Sequence, residues 1–265
     1  MAKMKVVRGK KIRVTRVDRC GMPLAGPGNQ LVTEGFVTVN FTQQMKDAED
    51  LEQANANGDV CVSDRTTPQV KWGNVDISLC DVDTELLGMM TGMPQVLDHN
   101  QDSVGFRISD SVQVDGGFAL ELWTGTAGDD CDEPENDDIF SAVNPIQEYG
   151  YWLAPAVVEG VIGDVEVGAS VSTFNVTGRA VAGPRWGRGP YDVVGIDDDN
   201  TAGRLLQPMG RGQFVHVQKT TIGPPESTSG AAELTVPMPY YGAEGVDSVE
   251  ELEDAGVAED AGVAA

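Results

Sequence analysis

Apolar and polar residues alternate along most of this 265-residue chain, in short runs broken by glycine and proline. That two-residue period is the mark of half-buried strands. KIRVTRV (11–17) reads as a strand, and its outward bases suit a sheet edge that must resist aggregation. GMPLAGPGN (21–29) is turn material. LVTEGFVTVNFTQQ (31–44) predicts one long strand with Val37, Val39 and Phe41 on one face. MKDAEDLEQANANGD (45–59) is polar, tolerates helix and lacks apolar anchors, so an exposed loop or frayed helix is expected there. Strand patterns resume at 59–64, 70–80, 103–112, 117–124, 149–161, 164–167, 169–181 and 214–221.

The best helix is DTELLGMMTG. Asp83 suits the N-cap, Glu85 favours the positive end, Leu86, Leu87 and Met90 form an apolar face, and Gly92 stops it. A helix this short must pack on a sheet to persist. The 32 Gly and 14 Pro spread as punctuation add to the expectation of a β-rich fold.

Charge changes the picture more than composition does. The formal net charge is −24, yet eight of the 18 Lys and Arg lie within the first 19 residues. Residues 1–20 therefore read as a basic arm leading into the first strand, 11–242 as one β-rich body, and 243–265 as a flexible acidic tail. That tail carries eight acids, no base and a repeated EDAGVA. Asymmetry of this kind concerns partners. Three readings are open: a basic arm laid on the acidic surface of an identical neighbour, an edge strand within the chain, or a nucleic-acid arm. The acidity of the remainder, which would repel phosphates, weighs against the third. The acidity overall also fits work at high salt. The charged start lacks an apolar h-region, and no run nears the roughly 20 apolar residues of a membrane span. A soluble protein made in a cytoplasm is expected.

A search for chemistry finds little. There is no nucleophile elbow, phosphate-binding glycine loop, dinucleotide fingerprint or zinc-protease pair. Cys20, Cys61, Cys80 and Cys131 are far apart, and with His99 and His216 they lack the close ligand spacing of a zinc site. Buried free thiols are expected, as is a strand histidine at 216 satisfied by its neighbours. GDDCDEPENDD (128–138) and GIDDDNTAG (195–203) lack the order of a calcium loop and read as solvated. No cofactor, metal or catalytic residue is assigned.

FALELWTGT (118–126), YGYWLAPAVVEGVIGDVEV (149–167), STFNVTGRAV (172–181), WGRGPYDVV (186–194) and HVQKTTIGPP (216–225) together resemble the major tail protein of long non-contractile-tailed phages and related archaeal viruses. DVDTELLGMMTG (81–92) resembles the helix-plus-TG element of the same family. The resemblance spans roughly residues 10–225. It implies a non-enzymatic virion protein with two packed antiparallel sheets, sandwich- or barrel-like, and a short flanking helix around 83–91. Six copies would close into rings, and the rings would stack, through a long loop and terminal arms, into the tail tube that viral DNA traverses without specific binding. The partners implied are the chain itself and other tail proteins at the tube ends. The place implied is the virion tail, assembled in the host cytoplasm.

Six copies of −24 give −144 per ring, a field reaching about 8 Å at physiological salt and about 3 Å at 1 M. An acidic bore would offer DNA no phosphate ligand. On this reading Lys3, Lys5, Arg8, Lys10, Lys11, Arg13 and Arg16 contact a neighbour. Candidate counterparts are Asp47, Glu49, Asp50 and Glu52 in one loop and Asp129, Asp130, Asp132 and Glu133 in another. The rival readings are a tail terminator or capsid-decorating protein, which would form single rings or trimers, and an acidic enzyme from a halophile.

Overall fold

The computed structural model describes residues 6–109, 116–126, 148–165, 173–197 and 200–237. In chain order the elements are β1 (Val6–Val17), β2 (Gly26–Thr33), β3 (Phe36–Lys46), β4 (Asp50–Ala54), β5 (Val60–Arg65), β6 (Gln69–Leu79), α1 (Thr84–Thr91), β7 (Gln95–Leu97) and β8 (Ser103–Phe106). They continue as β9 (Gly117–Thr126), β10 (Tyr149–Val165), β11 (Phe174–Ala180), β12 (Val194–Gly195), β13 (Ala202–Gly203), β14 (His216–Thr220) and β15 (Ala232–Leu234). The architecture is mainly β, made of antiparallel sheets with one short helix among the described residues.

The principal sheet runs β15-β2-β1-β9-β10-β11-β6-β3, with β14 added beside β10. The ribbons β4–β5, β7–β8 and β12–β13 stand apart from it. Strand β10 is the long spine. Its first half pairs with both β9 and β14, and its second half with β11. Pro155 lies at a register shift between Ala154 and Val157, where a residue without an N–H breaks no ladder bond. The sheet curls. A Cβ on Gly9 of β1 would stand 2.5 Å from the Phe36 ring of β3, although the two strands are far apart in sheet order. Phe41 of β3 likewise stacks on Trp152 of β10, ring centroids 5.8 Å apart.

Both faces of the central strands are covered. Ile12, Val14, Leu31, Val75, Ile77, Leu79, Phe118, Leu120 and Val157 meet α1 in one core. Ala119, Trp123, Tyr151, Leu153 and Ala156, on the opposite face, form a second core with Val17, Trp186, Val193, Leu205 and Met209. Residues 186–197 and 200–209 are thus a cover of turns and short bridges laid over the back of the sheet.

The helix forms where expected. The Asp83 side chain accepts from the Glu85 N–H at 2.8 Å. Gly92, with φ 68°, takes the left-handed cap conformation that a side chain resists, and its N–H donates to Gly88 O. Met90 O approaches β10 so closely that a Cβ on Gly160 would lie 2.1 Å away.

Elsewhere the structure corrects the pattern. The single strand expected over 31–44 is two, because the chain turns a corner at Glu34–Gly35, and β2 and β3 join different neighbours. A register shift between Phe36 and Thr38 leaves Val37 54% exposed while Phe36, Val39 and Phe41 pack on the core. Residues 50–54, expected as loop or helix, form β4. The strand expected over 103–112 runs only from Ser103 to Phe106 within the described residues. Cys61 and Cys80 are exposed rather than buried, because both lie on surface segments outside the two cores. Cys131 lies outside the described residues, as does 243–265.

Two substitutions test this packing. Asp83→Ala should lower stability by about 1 kcal/mol through loss of the cap, and Gly160→Ala by about 1–3 kcal/mol through overpacking against α1. Both are read from the shift in urea midpoint.

Candidate assembly surfaces

The basic segment does not act as one unit. Lys3 and Lys5 lie outside the described residues. Strand β1 is no edge: it pairs with β2 on one side and β9 on the other. Pairing with β2 covers only Ile12 to Thr15, whereas pairing with β9 extends back to Val6. The ladder with β9 slips twice, between Val7 and Gly9 and between Gly9 and Lys11. Arg8, at φ 44°, and Lys10 are the extra residues at these slips. In an unbroken strand they would share the core face of Ile12 and Val14. The bulges leave both exposed instead. Neither has a partner among the described residues.

Of the other three bases, Lys11 and Arg13 pair within the chain, and the burial of Arg13 corrects its assignment to a neighbour. Lys11 is half-buried and pairs with Glu34 at 3.1 Å. Arg16 is half-buried and lines a polar recess with Gly88, Gly92, Met93 and Gln95 at the C-terminal end of α1, the end whose dipole favours a cation. Arg13 is buried. Its guanidinium grips the fully buried Glu121 of β9 through Nε at 2.7 Å and Nη2 at 2.8 Å. Because both faces of β1 are covered, the polar side of its alternation points into the second core and not into solvent.

This pair is the centre of a polar cluster that the sequence did not reveal. The Tyr151 hydroxyl donates to Glu121 Oε1 at 2.6 Å. The Tyr191 ring lies over the Arg13 guanidinium, 3.2 Å from centroid to Cζ, and its hydroxyl bonds Thr15 at 2.8 Å. Trp123 closes the other side at 5.0 Å. Burial alone would lower the Arg13 pKa, but the charge and hydrogen bonds of Glu121 outweigh it, and the net shift is upward. Burial, reinforced by the negative Glu121, holds Tyr151 well above the ordinary tyrosine range. Tyr191 is raised by burial too, although Arg13 opposes the shift. Arg13, Glu121, Tyr151, Tyr191 and Thr15 here satisfy one another within the second core.

The acids split likewise. Asp129, Asp130, Asp132 and Glu133 lie outside the described residues. Asp47, Glu49, Asp50 and Glu52 sit on an arm. The β3–β6 ladder runs out to Lys46 and Gln69, and β4–β5 carries the hairpin on to a turn at 55–59. Glu49 and Thr66 bond each other across the junction between the two ladders. Every residue from 49 to 71 is exposed, so among the described residues no part of the body covers the arm. Cross-strand pairing puts Leu51, Gln53, Val62 and Asp64 on one face, and Asp50, Glu52, Ser63 and Arg65 on the other. Asp50 pairs with Arg65 at 3.2 Å, a solvent-exposed contact of small value. Leu51 and Val62 are 54% and 57% exposed, and Met45 and Val70 face solvent as a pair at the base.

At the foot of the arm lies a groove of about 420 Å³ lined by Phe41, Gly73, Trp152, Phe214, Val215 and Val217, among others. The indole N–H of Trp152 is buried without a hydrogen-bond partner. Lys71 and Arg179 both approach the Trp72 ring, at 5.7 and 5.4 Å. Trp72 in turn donates to Asn74 of the groove. Arg211 is exposed beside Gly212. His216 is engaged by Gln218 at 2.9 Å. Among the described residues no three His, Cys, Asp or Glu converge as metal ligands, and no helix is long and apolar enough to cross a membrane.

Removing Glu121 strands a buried guanidinium, so Glu121→Ala should cost about 3–5 kcal/mol. Replacing both Arg13 and Glu121 by Met should cost much less. Stability conferred by the raised tyrosines is complete below their unfolded value of about 10 and is lost as pH rises above it. Chemical denaturation from pH 8 to 11 should therefore show a decline that Tyr151→Phe together with Tyr191→Phe flattens. No protein-family model matches this chain, and no curated protein matches it.

Proposed function

We propose that this chain is an architectural subunit, a tail-tube protein whose copies close into hexameric rings and stack around an electronegative channel for viral DNA. The observation that carries this reading is the arm. A paired ribbon with exposed aliphatic side chains, uncovered by the body among the described residues, is the kind of surface that a second molecule covers. Three further features support the reading. The outer edge of β3 has no strand partner among the described residues, which is what sheet-to-sheet closure of a ring requires. Arg8 and Lys10 are displayed on an otherwise acidic molecule. The best-ordered polar cluster is turned inward, where it serves folding.

In this role the chain makes and breaks no bond. Its partners are copies of itself and other tail proteins at the tube ends, its location is the virion tail after assembly in the host cytoplasm, and DNA passes without a specific site. Arg8 and Lys10, with Lys3 and Lys5, are the bases we assign to a neighbour's acidic surface; Arg13, buried against Glu121, is not among them.

Negative-stain microscopy of the purified protein tests this. Stacked rings are expected; isolated rings or trimers would point to a terminator or decorating protein, and monomers at high concentration would overturn the proposal. Glu substitutions at Lys3, Lys5, Arg8 and Lys10 should stop tube growth without altering the far-ultraviolet circular dichroism spectrum. Tubes of normal length from that variant would remove the basic segment from the account.

A further inference from the structure

Between β4 and β5 the chain turns through Asn55, Ala56, Asn57, Gly58 and Asp59, and Asn57 is the only asparagine in the sequence that precedes a glycine. We propose that Asn57–Gly58 is a site of spontaneous covalent modification, at which the Gly58 nitrogen displaces the Asn57 side-chain amide. The Asn55 side chain is the clasp that sets its rate. None of this depends on whether copies associate.

Gly58 takes φ 89°, the left-handed conformation that closes such a turn and that a side chain resists. Nothing lies within 4 Å of where a Cβ on Gly58 would stand, so its nitrogen is uncrowded on that side. The asparagines of the turn are not equivalent. Asn55 Oδ1 accepts from the Asn57 N–H at 2.9 Å and from the Asp59 N–H at 3.0 Å, which fixes that side chain. The Asn57 side chain is exposed and has no hydrogen-bond partner among the described residues. Asn55 is also followed by Ala56, whose methyl group crowds the nitrogen that would have to attack.

The step balances with water as the co-reactant. The Gly58 nitrogen gives its proton to hydroxide or water and attacks Asn57 Cγ. A C–N bond forms, the bond from Cγ to the side-chain nitrogen breaks, and ammonia leaves. The product is a cyclic imide, which water then opens. Addition at Cγ restores the peptide bond and leaves aspartate. Addition at the main-chain carbonyl leaves isoaspartate, with the chain rerouted through Cγ. Either product places a new carboxylate near Asp59, and isoaspartate lengthens the path between the N–H groups that Asn55 holds.

The closed turn opposes this chemistry. The Gly58 N–H donates to Asn55 O at 3.0 Å, and the Asn55 N–H donates to Asp59 O at 2.8 Å. The Gly58 bond and the Asn55 side-chain bonds must open before the nitrogen can reach Cγ. Opening is easy here. Residues 49–71 are all exposed, and β4 and β5 pair only with each other among the described residues. A two-stranded ribbon of this kind is marginal by itself and frays from its tip. The rate is therefore limited by opening, which Asn55 restrains.

Incubating the full chain in warm, mildly alkaline buffer and mapping its peptides by mass spectrometry, with fragmentation that separates aspartate from isoaspartate, tests this. Both products should accumulate at position 57, with ammonia released in step, and position 55 should remain asparagine. Asn55→Ala should convert about fivefold faster, the worth of one lost hydrogen bond. Asn55→Asp, which keeps the acceptor, should convert at the original rate. Gly58→Ala should nearly stop conversion although it strains the turn, which separates attack by the Gly58 nitrogen from simple exposure to water. An Asn57 that stays intact in the folded chain while converting in urea would overturn the site, as would conversion at Asn55 instead. Equal rates for the unaltered chain and Asn55→Ala would overturn the clasp.

Discussion

A fully buried carboxylate cannot stand without a cation, and Glu121 has one in Arg13, gripped through two nitrogens. The rest of the molecule is arranged around that requirement. The pair bolts β1 to β9, Tyr151 brings in β10, and Tyr191 brings in the cover over the back of the sheet. Three central strands and the covering segment are held by one cluster. A second copy of the same cluster in a shifted register would leave the charges unmatched, so the pair selects register as well as partner.

That fixed register has a consequence at the start of the chain. With Arg13 locked inward, the preceding residues reach Thr124 and Gly125 of β9 only through two slips in the ladder. Those slips place Arg8 and Lys10 in solvent. The bases divide accordingly: Arg13, inside the paired region, stabilises the fold, and Arg8 and Lys10, at the bulges, stand in solvent. Charge of one sign is thereby split between core and solvent within a dozen residues. The same division holds for the acids, since Glu121 is structural while Asp47, Glu49 and Glu52 are exposed on the arm.

Much of the fold was legible, and the failures have physical reasons. The helix at 84–91 was readable because its signals are local: Asp83 caps the residue two ahead, and Gly92 ends it. The strands of the body showed their alternation. The arm did not, because β4 (DLEQA) has no apolar period of its own and takes its form from pairing with β5. Arg13 was misread because alternation tells two faces apart but does not say that both are covered. Its partner lies 108 positions away, beyond any local pattern, although the acid inside FALELWT was a signal that could have prompted the search. Alternation sets Val37 on one face with Val39 and Phe41 because a bulge has no mark in the letters around it. The groove was invisible, being assembled from β3, β6, β10 and the segment before β14.

The composition of the arm also bears on the subunit before it is built into anything. A bare ribbon with Leu51, Val60 and Val62 in water is a template for indiscriminate strand stacking. Asp50, Glu52, Asp59 and Asp64 interrupt that template, so two free ribbons that drift together meet like charge first. Those few side chains thus disfavour clumping of free copies at high concentration by their sign alone.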